Sequence, residues 1–456
     1  MIDMAIPVEE LIARSKAAQK QFEFATQEQA DAASRMIFRV VYENAEMLGP
    51  LAAEETRMGS AQDKIAKCRN KSSLIWNNIK DKKTVGVIRR LEETRMLEIA
   101  KPMGVVASVV PSTNPVVTPM SNAGFALKTR NSIIFAPHPR AVKCTRLLVD
   151  MFREGLAKLG FPEDLVLMVD EISVTESSKL MSMADVVVAT GGMGMVKSAY
   201  SSGKPALGVG QGNVQCIVDR DADLDDAAAK IIIGRAFDNG LICLGEQTVF
   251  VPEEKFDAFI EAFNKAGGYY ISDEEETNKI REGLFPEGGD ISRFVVGMYA
   301  PQVAEICGVK VPENTRVVGV TAKAIGHGDT LCREKLCPVL NIMKYDTFEN
   351  GVAMMVENLE CEGKGHSIAV HSNTPEHVEY AAIQCSVSRC VVNQPCGTTG
   401  GGSPTNGFGA TTTLGCGSWG NNSFSGNFNY DQLMNITRVG YPLDEPYMAS
   451  PEAAWD

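Results

Sequence analysis

Gly104-Val105-Val106-Ala107-Ser108-Val109-Val110-Pro111-Ser112-Thr113-Asn114-Pro115 is the stretch that decides the fold. Its six residues from Val105 to Val110 are apolar or small throughout, as in a strand buried on both faces, and the Pro-Ser-Thr-Asn-Pro run ends that strand in a turn. The same texture repeats downstream. Asn122 to Thr129 reads as a helix and Ser132 to Ala136 as a strand, followed by a helix over Ala141 to Leu159 and a strand over Leu165 to Val169. Thr175 to Met183 is the next helix and Ala184 to Thr190 the next strand. Helices alternating with continuous apolar strands predict an α/β protein with a doubly wound parallel sheet, whose ligand sits at the carboxyl ends of the strands.

Outward from this unit the texture changes on both sides. The first eighty residues are helical, and Thr26 with Gln29 forms a capping box opening a helix that ends before Gly49-Pro50. Thr84 to Lys101 reads as a solvated hairpin and Leu433 to Val439 as a late strand, both suited to oligomer contacts. A second α/β pattern follows Cys243, with strands expected at 248–251, 316–320, 339–343, 367–371 and 388–393. Gly397 to Ser425, rich in Gly, Ser, Thr and Asn, is a length of irregular chain that usually serves a site.

Composition narrows the function classes. With 44% apolar and 22% charged residues over 456 positions, the chain is globular and long enough for two or three cores. A formal charge of -13 offers no basic surface, so no nucleic-acid role is expected. Twelve scattered cysteines, without a C-x-x-C pair, and five histidines outside any ligand spacing argue against disulfide staples and against a metal site. Met1-Ile2-Asp3-Met4 has no basic leader region and no apolar run approaches the ~20 residues of a membrane span, so a cytoplasmic, membrane-free protein is expected.

Two motifs carry chemistry. Asp238-Asn239-Gly240-Leu241-Ile242-Cys243 follows a small-residue helix and precedes an apolar strand, which displays one thiol on an anchored turn. Thr190-Gly191-Gly192-Met193-Gly194 lies between a strand and a helix; it fails the G-x-G-x-x-G pattern at Lys197, but its amides can face a pyrophosphate. A tight turn is the other reading of that loop, and a buried inert thiol is the other reading of Cys243 taken alone.

The order of the motifs is more specific than any one of them. Ser112-Thr113-Asn114-Pro115, Ala136-Pro137-His138-Pro139-Arg140, Thr190-Gly191-Gly192, the Cys243 string and Glu334-Lys335-Leu336-Cys337-Pro338 together resemble the aldehyde dehydrogenase superfamily over the whole chain. Three further strings are similar to its coenzyme A-acylating branch: Met193 to Pro205, Gly365-His366-Ser367, and Leu414 to Ser423. The resemblance implies two doubly wound Rossmann-like domains plus an oligomerisation hairpin and C-terminal strand. On that pattern residues 1–83 and 104–238 bind NAD(P), 239–425 form the catalytic domain, and 84–103 and 426–456 make a homodimer or homotetramer.

It also implies roles. Cys243 attacks the aldehyde, and the Asn114 amide with the Cys243 N–H holds the oxyanion, one such donor being worth on the order of a hundredfold in rate. Ser112, Thr113, His138, Pro139, Arg140, Thr190, Gly191, Gly192, Gly210, Glu334 and Pro338 fall where the family contacts its nicotinamide cofactor. Hydrolytic members carry a water-activating glutamate where this chain reads Gly208-Val209-Gly210-Gln211-Gly212-Asn213. Without that base the acyl group is expected to pass to a thiol, whose pKa of ~8.5 needs little help. Coenzyme A is therefore the expected acyl acceptor.

Several choices stay open at this level. His366 either assists the incoming thiol or caps backbone groups in its turn. Asn114 either serves an oxyanion or closes an Asx-turn, and Glu334 either contacts the nicotinamide ribose or lies on a solvated face. Arg140 suits a 2′-phosphate but reads equally as a surface arginine, leaving NAD and NADP both admissible. The strings look most like those of succinate-semialdehyde enzymes, with sulfoacetaldehyde and acetaldehyde as alternatives and a hydrolytic dehydrogenase as the rival reaction. Thr398, Thr399, Ser403, Thr405 and Asn406 are the candidates for holding an anionic tail.

Overall fold

The computed structural model describes residues 5–445, 448 and 450–455, so the readings at Met1 to Met4 and at positions 446, 447, 449 and 456 lie outside the described residues. Strands β1 (Gly86–Leu91) and β2 (Met96–Pro102) form the expected hairpin. Strands β3 (Val105–Val110), β4 (Ser132–Pro137), β5 (Val166–Met168), β6 (Val186–Thr190) and β7 (Ala206–Val209) make a parallel sheet in the order 5-4-3-6-7. The order reverses between β3 and β6, which sets the turn at Ser112 to Asn114 beside the Thr190 loop.

Helices cover both faces of this sheet, and alternate residues of each strand serve them. Val106, Ile133, Phe135, Val166 and Val188 pack against α2 (Gln27–Glu43), α4 (Ala61–Ile79), α5 (Val117–Lys128) and α6 (Val142–Lys158). Val105, Ala107, Ile134, Leu167 and Val187 face α1 (Val8–Phe22), α7 (Val174–Met183) and α8 (Met193–Tyr200). Burial on both faces is why these strands read as unbroken apolar runs.

A seven-stranded parallel sheet follows, built from β8 (Val214–Val218), β9 (Glu246–Pro252), β10 (Gly268–Tyr270), β11 (Val317–Val320), β12 (Val339–Tyr345), β13 (Ile368–His371) and β14 (Cys390–Val392) in the order 10-11-12-9-8-13-14. It too has a core on each face, one of them lined by α9 (Leu224–Ala236). The remaining strands are β15 (Leu414–Cys416), β16 (Ser425–Asn427) and β17 (Met434–Gly440), the last pairing with β2 to complete a three-stranded sheet.

Three expectations need correction. The sheet-to-sheet crossover falls at Gly210–Asn213 rather than at 238/239, because β8 pairs with β9 and β13, and α9 packs on the second sheet. Phe428 and Leu433, assigned to the 426–456 oligomerisation element, belong to the first sheet's core, where Phe428 meets Phe125 edge-on at 5.8 Å. The Thr26 capping box is present, but its helix stops at Glu43, and a separate helix over Ala45–Thr56 carries Pro50 inside it.

One fully buried cation fixes the second sheet's amino end. Arg235, at the end of α9, donates from Nε to the Val339 carbonyl at 3.1 Å and from Nη2 to the carbonyls of Lys335 and Cys337. These bonds anchor the segment leading from Glu334 into β12. Replacing Arg235 with Met removes three hydrogen bonds from a charged donor, each worth about 1.5–3 kcal/mol, although the Cys337 carbonyl keeps the Val339 N–H at 2.8 Å. Chemical denaturation of Arg235→Met is expected to show a loss of about 3 kcal/mol or more; a loss under about 1 kcal/mol would contradict the anchoring role.

Candidate active site

The turn between α9 and β9 is built from three consecutive left-handed residues, Asp238 (φ 51), Asn239 (φ 54) and Gly240 (φ 73). Asn and Asp tolerate that region better than other side chains, and only Gly fits the third position, since a Cβ there would lie 2.6 Å from the Cys337 carbonyl carbon. Asn239 Nδ2 donates to the Gly297 carbonyl at 2.9 Å, and the Asp238 N–H donates to the Asp63 carboxylate at 2.9 Å. The Asp238 carboxylate accepts from the Ser60 N–H at 3.0 Å, from Lys64 Nζ at 3.1 Å and from Lys67 Nζ at 2.5 Å. Cys243 follows this pinned turn and is half-buried.

Lys67 joins the thiol's turn to Asn114. Its ammonium donates to Asn114 Oδ1 at 2.8 Å while it holds Asp238. An ammonium only donates, so the amide oxygen is committed to it and the Asn114 NH₂ is left to donate elsewhere. The Asx-turn reading gives way, because Asn114 Oδ1 accepts from Lys67 rather than from a backbone N–H two residues on.

The crossover brings the two sheets together at the thiol. A Cβ on Gly212 would sit 2.3 Å from the Cys243 carbonyl oxygen and 3.2 Å from its Cβ. Gly212 N–H donates to Glu334 Oε1 at 3.2 Å, and the Glu334 N–H donates to the Glu362 carboxylate at 2.5 Å. Glu334 is buried at 6% exposure, which removes the solvated-face reading. Burial, with Glu362 beside it, pushes Glu334 up to about 8, so it is largely a neutral acid at pH 7. Burial is likewise the main cause that pushes the Cys243 thiol up to about 12; Glu334 and Cys416 add to it and Arg389 opposes it.

His366 lies within the second sheet's amino-end region, ahead of β13, at 1% exposure. Both its ring nitrogens lack a hydrogen-bond partner among the described residues, and burial, then Arg389, lowers it well below its ordinary value. The ring is a neutral imidazole. Arg389 ties its string to the Leu414 string, donating to the carbonyls of His366 (2.8 Å) and Gly415 (2.9 Å) and to Ser367 Oγ (2.9 Å).

The loops expected to hold a cofactor gather at the first sheet's carboxyl edge. Thr190 ends β6 with a buried, unpartnered hydroxyl, the Gly191 N–H meets the Val209 carbonyl at 3.3 Å, and Gly192 caps α8 with open space where its Cβ would be. An orphaned hydroxyl, a helix start and an uncovered glycine fit a pyrophosphate, so the residues suit a dinucleotide. Ser112 and Thr113 lie in the neighbouring turn after β3. His138, Pro139 and Arg140 follow β4 on the exposed surface, with His138 Nδ1 accepting the Arg140 N–H at 3.1 Å. Gly210 faces the Met193 sulfur, and Pro338 packs behind Gly240, where it backs the nucleophile turn. Tyr200 binds this edge to the Leu414 string, its hydroxyl meeting the Gly208 carbonyl at 3.0 Å and the Ser423 N–H at 2.9 Å.

Among the described residues no three His, Cys, Asp or Glu side chains group as metal ligands, and no helix is long and apolar enough to cross a membrane. The hydroxyls expected to take an anionic tail are bonded within their own loop: Thr398 and Thr399 to the Pro395 carbonyl, Ser403 to Thr405, and Thr405 and Asn406 to Gln394. Lys64, Lys67 and Asp238 were not among the expected site residues. The available signal was the buried stripe Ile65, Cys68, Ser72 and Ile75 on α4, which places Lys64, Lys67 and Lys71 on or beside the inward face.

Comparison with known proteins agrees with this geometry. The profile described as "Aldehyde dehydrogenase family" matches residues 5–274. Over 450 residues the chain is 49% identical to a succinate-semialdehyde dehydrogenase (acetylating) of Clostridium kluyveri, with 99% of each chain covered. It is 36% identical to a sulfoacetaldehyde dehydrogenase (acylating) of Bilophila wadsworthia, with 94% of each covered. The crystal structure of an acetylating aldehyde dehydrogenase from Geobacillus thermoglucosidasius superposes with a TM-score of 0.93 at 35% identity, over 96% of this chain and 97% of that one. A thiol on a pinned turn, a neighbouring amide and a dinucleotide-shaped strand edge thus accompany a full-length match, and the chain belongs to the aldehyde dehydrogenase family.

Proposed function

We propose that this protein is a coenzyme A-acylating aldehyde dehydrogenase that interconverts a small anionic aldehyde, best succinate semialdehyde, with its acyl-CoA. The observation that carries this reading is the segment Gly208–Asn213 against Cys243, which holds no carboxylate. That segment offers no carboxylate to activate water beside a thioester. A thiol acceptor needs no base of comparable strength. Sulfoacetaldehyde, which shares the aldehyde and the distal anion, is the alternative substrate, and the 36% identical relative carries that name.

In this reading the Cys243 thiol releases its proton to solvent, the thiolate sulfur adds to the aldehyde carbon, and the carbonyl oxygen becomes an oxyanion held by Asn114 Nδ2 and the Cys243 N–H. Lys67 keeps the amide turned so that its NH₂ faces that oxygen. Bound at the Thr190–Gly192 edge, NAD(P)+ supplies the hydride acceptor. The acyl group then rests on Cys243 as a thioester. His366, neutral and with free ring nitrogens, accepts a hydrogen bond from the incoming coenzyme A thiol; the coenzyme A sulfur bonds to the acyl carbon, the bond to Cys243 breaks, and the thiol proton passes to the leaving Cys243 sulfur. Arg140, exposed after β4, suits a 2′-phosphate, so NADP+ is accommodated as well as NAD+. The exposed edges of the three-stranded sheet β1-β2-β17 are the proposed contact in a homodimer or homotetramer.

The reverse reaction tests the class and the substrate together. NAD(P)H oxidation is expected with succinyl-CoA at a higher kcat/KM than with acetyl-CoA or butyryl-CoA. Cys243→Ala should abolish it, and Asn114→Ala should lower kcat on the order of a hundredfold. Failure of every acyl-CoA to oxidise NAD(P)H would overturn the proposal.

The thiol's elevated pKa gives a separate check. Alkylation proceeds through the thiolate, so the rate at Cys243 in the ligand-free protein is expected to rise about tenfold per pH unit from pH 7 to 9 without levelling. Peptide mapping after iodoacetamide pulses would measure it. A plateau below pH 8 would contradict the burial effect.

A further inference from the structure

Three lysines line one side of α4 at the site, and their counter-charges do not balance. Lys64 and Lys67, at 4% and 7% exposure, share the single carboxylate of Asp238. Asp63, the other carboxyl at this turn, is raised above its ordinary value mainly by burial. One turn along the same face lies Lys71, which forms no ion pair among the described residues. Its Nζ donates to the Gly401 carbonyl at 2.9 Å, an oxygen already taken by the Thr411 N–H at 3.0 Å. Burial, then Lys67, lowers Lys71 to about 8.

Lys71 also borders the loop that packs on Leu244, the neighbour of the nucleophile. A Cβ on Gly401 would stand 3.0 Å from Lys71 Nζ and 3.8 Å from the side chain of Leu244, the residue after Cys243, while neighbouring Gly400 packs on Leu244 as well. Lys67 reaches Asn114 on the other side. Lys67 at Asn114 and Lys71 at Gly401 are one helical turn apart on α4, about 6 Å along its axis, which is the reach of a short acyl tail that starts at Asn114. The loop's hydroxyls are already bonded within the loop, so the ammonium is the donor that remains.

We propose that Lys71 forms the subsite for the substrate's distal anion, a carboxylate or sulfonate, and sets the preference for charged over uncharged acyl groups. This rests on the reading of Cys243 as acyl carrier and of the aldehyde as anionic. A half-buried ammonium with no carboxylate, held only by a carbonyl it shares, is incompletely paired; an arriving anion with matched geometry completes the pairing, whereas an alkyl tail of equal length does not. Carboxylate and sulfonate present the same oxygen acceptors, so both belong to the class.

The test compares succinyl-CoA with butyryl-CoA, which differ only in the tail, in the wild type, Lys71→Met and Lys71→Arg. Expected for Lys71→Met is a fall in kcat/KM for succinyl-CoA on the order of tenfold to a hundredfold, carried mainly by KM, with butyryl-CoA changed less than about threefold. The butyryl-CoA rate shows that the variant is folded. Lys71→Arg should retain most of the preference. If the wild type prefers succinyl-CoA and Lys71→Met keeps that ratio, or loses both activities equally, the subsite is wrong while the anionic-substrate reading stands. If the wild type itself favours butyryl-CoA, the anionic-substrate reading falls and takes the subsite with it.

Discussion

The Asp238 carboxylate, shared by Lys64, Lys67 and the Ser60 amide, is the interaction on which the site's geometry depends. It joins an N-terminal helix to a strained turn, and through Lys67 it reaches the amide of Asn114 on the first sheet. Two buried ammoniums facing one carboxylate are expensive to desolvate, and removing the carboxylate would strand both, at about 3–5 kcal/mol. The fold thus spends electrostatic energy on position. Three successive left-handed residues persist at the turn because Asp63, Gly297 and the lysines hold it from different directions.

The architecture explains why nucleophile and cofactor edge meet. The first sheet presents its carboxyl ends, with the Ser112 turn and Thr190 loop side by side across the β3/β6 reversal. Cys243, Glu334 and His366 all precede strands of the second sheet, so they gather towards its amino ends. The chain passes from one sheet to the other through Gly210–Asn213, and Gly212 touches Cys243 on the way. At Gly212 this close approach leaves no room for a side chain, whereas Gln211 beside it lies on the exposed side and supplies no carboxylate.

Much of the first sheet was legible because strands buried on both faces are apolar at every position, as Val105–Val110 and Ser132–Pro137 are. Cys243 was legible because Asn-Gly before a strand is a turn with a mechanism. The sheet boundary was not, since β7 and β8 are separated by four residues with no linker composition, and membership depends on pairing across the fold. Glu334 lies in the run Arg333-Glu334-Lys335, which reads as solvent-facing until Arg235 and Gln247 bury it through Lys335. Lys67 and Lys71 are ordinary helix residues in sequence; only the stripe of Ile65, Cys68, Ser72 and Ile75 marks their side as inward, and only tertiary structure supplies Asp238 and Gly401 as their partners.

The central claim is that Cys243 carries the acyl group until a thiol removes it. One measurement addresses that directly: mass spectrometry of the protein after a single turnover with succinate semialdehyde and NAD(P)+, before and after coenzyme A is added. The account predicts a succinyl group on the Cys243 peptide that persists in buffer at pH 7 and leaves as succinyl-CoA when coenzyme A arrives. An unmodified Cys243, with free succinate accumulating in the absence of coenzyme A, would contradict it.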